Sequence, residues 1–150
     1  MSLEREVFIR GRTHVETVYL TLLHHVLNSP NADQAWNLFV KYFIDYVYKS
    51  VIVPKIISDK TGDMNRHFRM LVERSFKYKF GNRFELLPDF VNSERDPYDI
   101  CVDFLSSKVN ELFPQDVIMA GDADRLIHLW CSEVIYTASM SFLQELKLIR

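Results

Sequence analysis

Residues 122–146, DADRLIHLWCSEVIYTASMSFLQEL, hold apolar side chains at helical spacing on more than one side. Ile127, Trp130, Cys131, Val134, Ile135, Ala138 and Phe142 recur every three or four positions and form a broad face. Leu129, Tyr136 and Leu143 recur at intervals of seven, with Met140 between them, as a narrow ridge nearly opposite. A helix apolar on both sides is either the centre of a bundle or a face that another molecule covers. The chain is therefore expected to be built around this helix, with Gly121-Asp122 opening it and Leu146 near its end.

Working back from it, Gln115 to Ala120 reads as one short turn after Pro114. Asp96-Pro97 is an N-cap followed by proline at the first helical position, where the missing N–H costs nothing. The helix it starts is expected to run to about Phe113, with Tyr98, Cys101, Val102, Leu105, Val109, Leu112 and Phe113 on its stripe and Ile100 and Phe104 off it. Residues 82–95, with Pro88 and no sustained period, read as a loop containing at most one turn. Asp63 and Gly81 sit where an N-cap and a left-handed C-terminal residue belong around a helix from Met64 to Phe80. A further helix starts at Asn31 or Asp33 and runs past Tyr48, its stripe carrying Trp36, Phe39, Val40, Phe43, Ile44 and Val47. Pro54 predicts a kink or break over Val51 to Ile57. Thr13 and Glu16 form a capping box before a first helix, His14 to Leu27, with Thr17, Thr21, His24 and His25 on its polar side.

Composition agrees with this pattern. Only 4 glycines and 5 prolines in 150 residues leave few turn formers for a β fold, and 48% hydrophobic content is enough to fill one core. The expected architecture is all-α, a single-domain bundle of five to six helices with a long, hydrophobic C-terminal helix, residues 1–12 forming an arm and 13–150 the domain. No stretch approaches the roughly 18 uninterrupted apolar residues that span a bilayer, and the start lacks a signal peptide's pattern. Two cysteines, Cys101 and Cys131, are too few for a disulfide framework and fall inside helical patterns. A cytoplasmic or nuclear protein with no membrane association is expected.

Charge is uneven although the net is −2: residues 1–84 carry 13 Lys/Arg against 8 Asp/Glu, and residues 85–150 carry 5 against 12. That polarity either steers a charged partner or is neutralised when the two halves pack.

Few residues suggest chemistry. Asp124, His128 and Cys131 fall at i, i+4 and i+7, but zinc takes four ligands and no second Cys/His pair follows, so no metal is expected. His24 and His25 diverge by about 100° on a helix and cannot share a substrate; His14 and His67 have no local carboxylate or nucleophile, and both read as surface residues. No serine lies in a G-x-S-x-G elbow and no glycine-rich loop exists to hold phosphates, so no catalytic residue or cofactor is assigned. Arg66, Arg69, Lys77 and Arg83, interleaved with aromatics, form a candidate basic face for nucleic acid. Arg69–Glu73 and Glu73–Lys77 are nonetheless i,i+4 pairs typical of a solvated surface, and the pI of about 6.2 is low for nucleic-acid binding.

The expected function is non-enzymatic: an adaptor, scaffold or regulatory module that binds a peptide or helix of a partner, or a second copy of itself. Ile100, Phe104, Leu129, Tyr136, Met140 and Leu143 are the candidate contact residues. Nucleic-acid binding through residues 64–83 and a helical enzyme with a dispersed site are the alternatives.

Overall fold

A computed structural model describes residues 14–28, 30–81 and 90–149; the expected arm over 1–12, Thr13 and Arg83 lie outside them. Among the described residues the chain is helical with no strand, an all-α bundle around a long apolar C-terminal helix. The helices are α1 (His14–Leu27), α2 (Ala32–Phe43), α3 (Val53–Ser58), α4 (Asp63–Phe80), α5 (Pro97–Ser106), α6 (Val109–Leu112), α7 (Gln115–Met119) and α8 (Ala123–Glu145). A π-helical segment, Ile44–Ile52, joins α2 to α3 without interruption, and Phe90–Asn92 forms a single 3₁₀ turn.

Pro54 does not break its helix. The backbone stays helical at Phe43, Ile52 and Val53, and the Val53 N–H reaches back five residues to the Tyr48 carbonyl. A proline ring in a regular α-helix strikes the carbonyl four residues earlier, here that of Ser50; the wider π turn relieves that clash and carries the rod through. The opposite error occurs at Ser106-Ser107, where the helix expected to reach Phe113 stops. Ser107 Oγ donates to the Phe104 carbonyl, and the Lys108 N–H closes a short bond to Leu105 O at 3.0 Å. Serine hydroxyls compete for backbone partners in this way, and here they divide α5 from α6.

Two caps also differ from expectation. Asp59, rather than Asp63, accepts the Met64 N–H (2.9 Å) and both donors of Thr61, and these bonds to its charged form hold its carboxyl below the usual range. Asp63 instead opens α4 and pairs with Arg66. Asp122 makes no side-chain capping bond and pairs with Arg125 at 3.5 Å. Asn31 and Asp96 cap as expected, accepting from Gln34 N and Tyr98 N.

The core lies along α8, which packs on α4, α5, α2 and the π segment, while α1 lies across α2 and the π segment. By length and composition α8 could also cross a membrane; here the bundle surrounds it. On one side Trp130 stacks on Phe113 at 5.1 Å and meets Phe80 edge-on. On the other, Tyr136 meets Phe43, Phe39 and Trp36 edge-on at 4.8, 5.4 and 5.6 Å. Trp36, expected in the core, is 42% exposed, its indole N–H pointing to Glu133 at 3.4 Å. Thr17, expected on a polar face, is buried, because α1 rests on two neighbours at once.

The end of α8 is a Schellman turn: Leu148 N bonds Leu143 O (2.9 Å) and Lys147 N bonds Gln144 O (3.0 Å), with Lys147 at φ 59°. A Cβ in this left-handed region costs about 1–2 kcal/mol, partly offset by the greater chain entropy of glycine. Lys147→Gly should therefore raise stability by about 0.5–1 kcal/mol in denaturant titrations.

Candidate functional site

The six candidate contact residues do not form an open ridge. Leu143 and Ile100 are buried within the chain's own core, at 0% and 4% exposure, Phe104, Tyr136 and Met140 are half-buried against it, and Leu129 is half-buried at the edge of a cleft. The α1–α2 pair covers the side of α8 that carries Tyr136, whose hydroxyl lies 3.4 Å from that of Tyr19. Phe104 meets Phe76 edge-on at 5.7 Å. Apart from Leu129, the second stripe is thus covered from inside the monomer. Leu143→Glu should destabilise the fold by about 3 kcal/mol or more and lower the helical circular dichroism signal, rather than only dissociating an oligomer.

The basic face is broken up as well. Arg69 is only 2% exposed. Its guanidinium donates to Asn65 Oδ1 (3.0 Å), to the Phe90 carbonyl (3.2 Å) and to the Arg95 carbonyl, and lies 5.6 Å from the centre of the Phe90 ring. Burial pulls its pKa below the ordinary value, against the opposing effect of nearby Asp96. Arg69 is therefore a brace for residues 90–95, whose carbonyls need donors once they are folded onto α4. Arg66 and Lys77 are on the surface and pair locally with Asp63 and Glu73. Lys79 reaches Glu133 of α8 at 2.5 Å, and His67 pairs with Glu145. His67 is therefore half-exposed, but it has a carboxylate partner from the far end of the chain. These contacts join the basic and acidic halves of the sequence and neutralise part of the polarity.

What remains outward on α4 is a row at four-residue spacing: Arg66, Met70, Arg74 and Tyr78. Met70 is 58% exposed and Tyr78 90%. Neither belongs to the helix's apolar stripe of Met64, Phe68, Leu71, Val72 and Phe76, and that misfit was visible in the sequence.

A second feature is a cleft of about 520 Å³ between two helical walls. Asn37, Lys41, Asp45 and Lys49 follow one another at four-residue spacing along α2 and the π segment; Asp96, Tyr98 and Asp99 of α5 face them with His128 and Ser132 of α8. Val40, Ile44 and Leu129 supply apolar lining. Tyr98 Oη lies 3.0 Å from His128 Nδ1, whose other ring nitrogen is 3.7 Å from Asp124. Burial raises the Tyr98 phenol above its ordinary value. Tyr48 donates to Asp96 at 2.8 Å beneath the cleft. Sequence reading paired Asp124 with His128 but could not supply Tyr98, which arrives from a separate helix.

Cys131, spaced with Asp124 and His128 in the sequence, is fully buried, and no group of three metal-ligating side chains occurs among the described residues. Cys101 is buried too; burial pushes its thiol up to about 12 and raises that of Cys131 further from neutrality. Iodoacetamide at pH 8 should leave both thiols unmodified in the folded protein and label both after denaturation. No family model matches the chain, and no curated protein or solved structure does so significantly.

Proposed function

We propose that the chain is a non-enzymatic interaction module that seats an acidic amphipathic helix of a partner protein along the outer row of α4. The observation that carries this reading is the exposure of Met70 and Tyr78, alternating with Arg66 and Arg74 on one helical row. A methionine and a tyrosine supply adaptable apolar area, and both residue types are enriched at interfaces. Arginines one turn away offer forked donors to carboxylates. A partner helix with acidic residues flanking apolar ones at the same four-residue spacing would complement the row in charge and in period.

The test uses a fluorescent acidic amphipathic peptide and a single-stranded oligonucleotide as competing probes. Met70→Ala with Tyr78→Ala should preserve fold and stability to within about 0.5 kcal/mol, since both side chains face water, while weakening peptide binding about tenfold or more. Arg74→Glu should weaken it further at low salt. Peptide binding unchanged in both variants would overturn the reading. So would oligonucleotide binding that depends on Arg74 and ignores Met70 and Tyr78, which would point to a phosphate surface instead.

A further inference from the structure

The cleft between α2 and α5 is independent of the α4 row, and its charges are unevenly satisfied. Lys49 is paired with Asp45 at 3.5 Å. Asp96 accepts from the Tyr48 hydroxyl and from Tyr98 N, both at 2.8 Å. His128 lies between Tyr98 and Asp124. Arg95, whose charge also feels Asp99, is bound to Asp103 at 2.6 Å. After these pairings, two charges of opposite sign lining the cleft have no hydrogen-bond or ion-pair partner among the described residues: Lys41 on the α2 wall and Asp99 on the α5 wall.

We infer that this cleft binds a small zwitterion of amino-acid or dipeptide size, its carboxylate on Lys41 and its ammonium on Asp99. The volume lies within the usual range for small-molecule sites, about 300–1,000 Å³. Leu129, half-buried, with the edge of Ile44 beside it, gives the cleft an apolar contact for a hydrocarbon side chain. A plain carboxylate would leave Asp99 without a cation, and a plain amine would leave Lys41 without an anion. A ligand carrying both charges answers both walls at once.

The experiment is calorimetric titration of the full chain with L-leucine and L-leucyl-L-leucine, beside their N-acetyl and methyl ester derivatives. At least one zwitterion should bind, and removing either charge by derivatisation should weaken it about tenfold or more. Lys41→Gln should weaken the zwitterion about tenfold but leave the methyl ester unaffected. Asp99→Asn should weaken the zwitterion about tenfold but leave the N-acetyl compound unaffected. Both side chains are exposed, so circular dichroism and melting of the two variants should match the parent. The inference is overturned if no compound binds at millimolar concentration, if N-acetyl or ester forms bind as tightly as the zwitterion, or if neither substitution changes its affinity.

Discussion

The fold depends on a single constraint: α8 is apolar on two opposite sides, and both must leave water. One partner helix can cover only one side of a rod. The chain therefore wraps α8, with α4 and α5 against the Trp130 side and α1 with α2 against the Tyr136 side. Aromatic rings do much of the filling. Phe39, Phe43 and Trp36 gather edge-on around Tyr136, while Phe80 and Phe113 pack on Trp130 and Phe76 links Phe80 to Phe104, so each side buries large aromatic area.

Covering α8 brings polar groups inside with it; Ser139 Oγ on α8 has no hydrogen-bond partner among the described residues, but the larger groups are given partners. Tyr48 is 1% exposed and its burial holds the phenol far above its ordinary value; the nearby Asp96 adds to that shift and accepts its proton bond. Arg69 spends its charge on carbonyls of residues 90–95, which fastens that segment to α4. Glu133, on the central helix, accepts from Trp36 on α2 and from Lys79 on α4, so one carboxylate ties three rods. Once these groups are committed, the surface chemistry that is left concentrates in two places: the outer row of α4, and the cleft where α2 and α5 diverge above α8.

Local signals were enough for much of this architecture. The three-and-four spacing placed α1, α4 and α8 within a residue or two of their observed bounds, and Asp96-Pro97 located the start of α5 because proline at a first helical position and a short acceptor before it act within a single turn. The break that Pro54 allowed for did not occur, for a corresponding reason. A proline rule assumes α geometry, and the chain escaped it by changing helical register over Ile44–Ile52, where Val47, Tyr48 and Ile52 are held in the core. Asp59 outcompeted Asp63 as a cap because a loop folded it back five residues, a distance that local capping patterns do not cover.

The amino-acid sequence by itself determined that the protein is helical, that residues 123–145 form a long helix apolar on more than one side, and that both thiols fall on buried stripes, because periodicity and side-chain polarity act over a few residues. Only the tertiary structure decided that Leu143 and Ile100 are core, that Arg69 is a buried brace, and that Tyr98, His128, Lys41 and Asp99 line one cleft. Those outcomes turn on which rod covers which face, and that is settled by contacts between residues dozens of positions apart.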